Sequence, residues 1–223
     1  MMRVILFVLC FCILSNCHSQ VREEEKTENK TMNITDAVKN NQLQLVEKML
    51  KEEGADVNTQ NKNKQSLLLI ATIAGAVDMA KLLTANGADV NLQDEKLDSA
   101  FLYAGASGQT ELVKLYLAHG ARFDVFNRYY GTALIPACER GHVETVKVLV
   151  NTKGFPINHV NRLGWTALME AVILGNGGIK HQQTVQLLKD AGANLNIPDK
   201  DGKTPLQHAR ALGFDKIVKI LES

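Results

Sequence analysis

The chain has 223 residues, with 25 Lys+Arg against 24 Asp+Glu and a formal net charge of +1; 45% of its residues are hydrophobic and 5% aromatic. That length can bury a sizeable core, and without a basic surplus the chain does not read as a nucleic-acid binder. The low aromatic and ordinary apolar content suits an all-helical stack.

The N-terminus is a separate element. Arg3 precedes an unbroken apolar run from Val4 to Leu14. A bilayer span takes about 20 apolar residues, so this run is too short and fits a secretory signal peptide over residues 1–19. Two cleavage sites are open. Leu14-Ser15-Asn16-Cys17 is similar to a bacterial lipobox, with Cys17 as the acylated first residue, although Asn16 stands where that motif has a small residue. Cleavage after Cys17-His18-Ser19 also fits, with small residues at the two positions that matter. Residues 20–32, including Arg22-Glu23-Glu24-Glu25-Lys26, are charged and apolar-poor, which reads as a flexible tether. Asn29-Lys30-Thr31 and Asn33-Ile34-Thr35 match glycosylation sequons, which matter only in a eukaryotic secretory pathway. Cys10, Cys12 and Cys17 lie in the signal region, so Cys138 has no partner for an internal disulfide. Its place beside Ala137 predicts a buried, small apolar side chain.

From residue 33 onward one phrase recurs. Gly54-Ala55-Asp56-Val57-Asn58, Gly87-Ala88-Asp89-Val90-Asn91 and Gly192-Ala193-Asn194-Leu195-Asn196 are its clearest first parts. Thr132-Ala133-Leu134, Thr166-Ala167-Leu168 and Thr204-Pro205-Leu206 are its clearest helix starts. A Gly ends each first helix, at Gly75, Gly108, Gly141, Gly175 and Gly213, with Asn41 in the first unit. The intervals between them are 33, 33, 34 and 38 residues. A fixed period of this size means stacked units, each contacting its neighbours, because one unit alone cannot bury its apolar face. Leu68, Phe101, Leu134, Leu168 and Leu206 are predicted to face inward, with Ala71, Ala104, Ala137, Ala171 and Ala209 three residues on. Leu82/Leu83, Val148/Leu149, Leu187/Leu188 and Ile220/Leu221 form the apolar stripe of the second helices. Lys39, Asn40, Asn41, Gln42 and Gln44 in the first unit, and Asp215, Lys216, Lys219 and Glu222 in the last helix, are expected to cap the stack.

The phase and the residues together resemble the ankyrin repeat family over 33–223. The last copy reads Asp201-Gly202-Lys203-Thr204-Pro205-Leu206-Gln207-His208-Ala209, with His208 one place beyond the family's position. Ser66 and Ser99 replace Thr and retain its capping hydroxyl. The fourth copy closes one residue late, at Gly154-Phe155-Pro156-Ile157-Asn158, and the fifth carries extra residues around Asn176-Gly177-Gly178-Ile179-Lys180. The resemblance implies an all-α ankyrin-repeat solenoid of about six helix-turn-helix units with β-turn fingers.

Motifs for chemistry are missing. The six His residues show no metal-ligand spacing, and there is no Gly-x-Ser-x-Gly, phosphate loop or dinucleotide fingerprint. No catalytic residue, metal or cofactor is assigned. An enzyme site would need convergent titratable groups on neighbouring tips, and Glu139/Arg140 beside Arg128 come nearest to that.

The resemblance implies that partners touch the turn tips and the exposed ends of the first helices. The tips are Asn61 to Gln65, Asp94 to Asp98, Asn127 to Gly131, Asn161 to Trp165 and Asp199 to Lys203. Two adjacent tips carry the residue types enriched at binding hot spots: Arg128-Tyr129-Tyr130 and Arg162-Leu163-Gly164-Trp165. With the helix ends Glu139/Arg140 and Ile173/Leu174 they make the predicted partner face. The competing reading makes Trp165 and Tyr130 structural filler between turns. The expected function is non-enzymatic protein–protein binding by an exported monomer at the cell envelope, periplasmic or anchored by a lipid on Cys17. Alternatives are a fully secreted form and an inhibitor or immunity protein that blocks a secreted toxic enzyme.

Overall fold

The computed structural model describes residues 32–223. The signal, the lipobox and the tether as far as residue 31, Cys17 included, lie outside the described residues.

Among the described residues twelve helices follow in pairs. Unit one holds α1 (Ile34–Lys39) and α2 (Leu43–Lys51), and unit two α3 (Leu67–Ile73) and α4 (Val77–Ala85). Units three and four hold α5 (Ala100–Ala106), α6 (Thr110–Ala118), α7 (Leu134–Glu139) and α8 (Val143–Val150). Units five and six hold α9 (Ala167–Ile173), α10 (Ile179–Asp190), α11 (Pro205–Ala211) and α12 (Asp215–Glu222). Each first helix packs on the first helices before and after it, and each second helix does likewise. No strand forms among the described residues; one isolated bridge, Gln60 to Ser66, closes the first finger.

The first helices start where a hydroxyl meets a free amide. Ser66, Ser99 and Thr166 accept from Leu69, Leu102 and Met169 at 3.1, 3.2 and 3.1 Å, and Thr204 forms a reciprocal box with Gln207. Unit four departs from this. Its Thr132 does not cap; α7 begins at Leu134, and the buried Thr132 hydroxyl has no partner. The cause is Pro136. In the other units the equivalent residue donates its amide to the capping residue's carbonyl, as Ile70 does to Ser66 at 2.9 Å and Glu170 to Thr166 at 3.0 Å. Proline has no N–H to give.

The inward column is as the pattern predicts. Leu68, Phe101, Leu134 and Leu168 are buried, and the five alanines three residues on are wholly so. Leu206 is only partly covered; among the described residues its helix packs on one other first helix, α9. The small column lets units approach closely. A Cβ on Gly105 would fall 2.7 Å from the Ala133 Cβ of the next unit. Cys138 is fully buried, and burial pushes its thiol well above the usual range, so it sits as an inert apolar group. Tyr116, also fully buried, ties unit three to unit two through a 2.6 Å hydrogen bond with Thr72 Oγ1. Burial raises its phenol to about 12, so it stays neutral.

The fifth unit corrects the repeat anchor. The sequence places it at Gly175, but Gly177 takes the left-handed turn, with φ +67. Gly175 serves close packing instead: a Cβ there would lie 2.1 Å from the Ala171 carbonyl oxygen. The two extra residues ahead of α10 displace the turn.

Every finger is built alike. Its first residue is Asn or Asp, whose Oδ1 accepts from the amides two and four residues on. Asn127 does so from Tyr129 and Gly131, at 2.9 Å each, and Asn161 from Leu163 and Trp165, at 2.9 and 3.0 Å. The fourth residue must then be left-handed. Gly164 and Gly202 adopt this freely, but Lys64, Leu97 and Tyr130 hold φ 58, 61 and 59. A side chain there costs about 1–2 kcal/mol. Leu97 is exposed, so Leu97→Gly is expected to raise stability by about 0.5–1 kcal/mol after the entropic loss of a glycine. Urea melts of the two proteins check this.

Between fingers runs a ladder. The last Asn of the repeated phrase accepts from the next unit's backbone: Asn58 from Asp89, Asn91 from Arg122 and Asn158 from Asn194, all at 2.8 Å. Unit three carries Asp124 at that position, and its carboxylate turns to Arg122 of its own loop, at 2.8 and 2.9 Å. The ladder therefore has no such rung between units three and four. At the same seam the rung made by Gln60 to Gln93 and by Gln93 to Phe126 gives way to Phe126, stacked on His159 at 4.5 Å.

Candidate functional site

The fingers of units three to five stand beside the exposed faces of α5, α7 and α9, and a groove of about 560 Å³ runs between them. Arg128, Tyr129, Glu139, Arg140, Leu163, Trp165 and Leu174 line it, as the sequence reading expects of one face. Tyr130, Arg162 and Ile173 do not line it. Tyr130 takes the left-handed corner of its finger, and its ring packs on Phe126 at 4.3 Å. Its carbonyl accepts from or faces the His159 ring at 2.7 Å. The ring is 48% exposed and rests on its own loop outside the groove. Arg162 points its backbone into the neighbours: its amide donates to the Tyr129 carbonyl at 2.8 Å, and its carbonyl accepts from Lys200 at 2.8 Å. Ile173 is half-buried at the end of α9.

Exposed apolar and charged side chains line the groove, and Glu170 lies deepest among the charged ones. Tyr129, Leu163 and Leu174 are 50%, 44% and 48% exposed, and Trp165 is half-buried between finger and helix. Singly such exposure is ordinary; gathered around one cleft it is the usual build of a binding site. The two guanidinium groups are already committed. Arg128 reaches Asp98 at 3.5 Å and lies 5.1 Å from the centre of the Tyr129 ring, and Arg140 donates to the Ala106 carbonyl of the preceding unit.

Glu170 is the residue that sequence reasoning missed. It projects from α9, nine residues after Asn161, and is only 6% exposed. Asn161 donates from Nδ2 to its Oε1 at 2.7 Å. Burial, and after it the nearby carboxylate of Glu139, push its pKa up to about 7, against the pull of Asn161 and Arg140. Oε2 meets no donor among the described residues, and neither Glu139 nor Glu170 forms a salt bridge there. The same nine-residue spacing joins His208 Nε2 to Asp199 Oδ2 at 2.7 Å in unit six. The displaced His208 thus steadies its finger from the helix, and Glu170 occupies the corresponding place. The available signal was the position itself: fourth after the helix-starting Thr, in line with Ile70, Tyr103 and Pro136.

No His or Cys lines the groove, and no group of three metal-ligating side chains gathers among the described residues.

Comparison with known proteins agrees with this architecture. A family model described as ankyrin repeats (3 copies) matches residues 9–94, 34–127 and 101–180, and a single ankyrin repeat model matches 163–200. A crystal structure of an ankyrin repeat domain from Acinetobacter baumannii superposes with a TM-score of 0.82 at 48% identity, covering 85% of this chain and 95% of that one. A second crystal structure, of another ankyrin repeat protein, gives 0.83 at 37% identity over 85% of this chain and 96% of that one. Among curated proteins, YahD of Escherichia coli strain K12, described as an ankyrin repeat protein, is 51% identical over 65 residues. That stretch is 29% of this chain and 32% of YahD, so the match spans about a third of that relative.

Proposed function

Since the chain belongs to the ankyrin repeat family, we propose that it is a non-enzymatic, monomeric binding protein of the cell envelope that captures a partner protein in the groove of units three to five. Ankyrin repeats are protein–protein interaction modules, and the fold is a scaffold for binding rather than catalysis. The observation that carries the choice of face is the convergence of Tyr129, Leu163, Trp165 and Leu174 around unpaired carboxylates in one cleft. Aromatic anchors in a partly desolvated pocket supply most of the energy of such interfaces.

The test is capture from envelope extract, with wild-type protein beside Trp165→Ala with Leu163→Ala. Loss of a retained partner is expected, by at least about 2 kcal/mol in affinity, with helical content and melting unchanged. Unfolding of that double variant would mean that Trp165 is core. Equal retention would move the interface to another face. The position at the envelope rests on the apolar run Val4 to Leu14 and on Cys17. If Cys17 carries lipid, Cys17→Ser moves the protein from the membrane pellet to the soluble fraction; an unchanged fractionation sinks the anchor.

A further inference from the structure

The groove holds an unmet electrostatic requirement. Three carboxylates line it, Asp98, Glu139 and Glu170, against the guanidinium groups of Arg128 and Arg140. Arg128 is directed at Asp98, and Arg140 is bound to a backbone carbonyl one unit away. The charge left without a partner is negative. A carboxylate this far buried beside a second one is costly to ionise, and a cation brought to it offsets that cost. Asn161 satisfies one oxygen of Glu170 and fixes the carboxylate's orientation, leaving Oε2 without a protein donor. Above it stand the half-buried indole of Trp165 and the exposed Leu163 and Leu174. A long aliphatic stem with a cationic end matches this order of surfaces: exposed apolar side chains at the mouth, an aromatic face beside the path, a carboxylate at the end.

We infer that the groove is a socket for one Lys or Arg side chain of the partner polypeptide, its cation seated on Glu170 Oε2 with Glu139 alongside, and its flanking apolar residues resting on Trp165 and Leu174. This deepens the binding reading above and rests on it. Guanidinium or ammonium on a carboxylate gives a charge-assisted hydrogen bond, which is the strong kind. The pairing also specifies: an acidic or neutral side chain at that place leaves Glu170 desolvated and alone. Glu139 and Glu170 repel one another, and a cation between them removes that repulsion.

The test is a library of random dodecapeptides displayed on phage and selected on the immobilised protein at pH 8, then screened on Trp165→Ala and on Glu170→Gln. Peptides lost on Trp165→Ala are expected to carry a Lys or Arg beside apolar residues. Replacing that residue with Met in a synthetic copy is expected to weaken binding to the wild type at least tenfold, and to change binding to Glu170→Gln little. That coupling is the signature of direct contact. Peptides that need Trp165 but are indifferent to Glu170→Gln overturn the socket and leave the groove standing. Peptides indifferent to Trp165, or no selected peptide at all, overturn the groove as the binding face. Self-association of the protein that disappears with Glu170→Gln would show a second copy as the occupant and overturn the partner assigned here.

Discussion

Glu170→Gln is expected to stabilise the protein at pH 8 and to leave its stability unchanged at pH 4.5 or below. The sign follows from linkage. The folded state raises the Glu170 pKa from 4.5 to about 7. Between those values the folded chain binds a proton that the unfolded chain has released. Stability therefore falls as pH rises through this window, and stays lowered above it. A shift of this size corresponds to at most about 3 kcal/mol. Glutamine removes the titration, keeps an acceptor for Asn161 Nδ2 at the Oε1 position, and turns a neutral amide toward the groove. Urea melts of both proteins at pH 4.5 and pH 8 decide it: a variant less stable than wild type at pH 8 would make Glu170 a structural ligand of the finger and not a strained site residue. A residue that weakens the fold at neutral pH, in the same cleft as the exposed aromatics, is where local consistency gives way to function.

Leu134→Ala should cost about 2–5 kcal/mol, a large share of the roughly 5–15 kcal/mol of a whole domain. Leu134 has no exposed surface, and its helix packs on α5 before it and α9 after it. In a stack whose stability is a sum of unit terms and seam terms, damage in the middle weakens two seams at once. The same change at Leu206, which only one neighbour covers, should cost less. Denaturation followed by circular dichroism should show a single lower midpoint for Leu206→Ala. It should show a broadened or divided transition for Leu134→Ala, since the halves on either side then melt less cooperatively. Equal losses at both positions would contradict the stacked description.

How much of this was legible in the sequence differs by element. The inward Leu and Ala columns are set by a period, and a period survives substitution at any one place, so Phe101 in the leucine column misled nothing. The finger tips were legible because Asn127 and Asn161 bond their own loop amides, a purely local act. Two local readings failed where a neighbour decided the outcome. Thr132 looks like a cap, but Pro136, four residues on, removes the amide that completes the first turn. Gly175 looks like the anchor, but the inserted residues pass the left-handed corner to Gly177. In the site, Trp165 and Leu174 were legible by residue type. Tyr130 has the same chemistry and is spent on Phe126, a contact no single-chain pattern reveals. Glu170 was hidden for the opposite reason. A Glu in a helix reads as a solvated residue until a finger from its own unit folds over it.

The interrupted ladder has a mechanical consequence. A beam riveted along both edges bends as a whole, but one with a rivet missing on a single edge yields there and only on that side. Behind the groove, units three and four are fastened by Thr110 to Thr145 at 2.8 Å and by Arg140 to Ala106. In front, where Asp124 turns inward to Arg122, the Asn rung is missing. The loop that bears Asp124 can therefore shift against the Asn158 loop of the next unit while the helices behind hold their spacing. The row of fingers is thus softest between the Arg128 and Trp165 fingers, joined by the Arg162 amide and the His159 ring, while the Asp98 side, riveted by Asn91 to Arg122 and by Gln93 to Phe126, stays stiff.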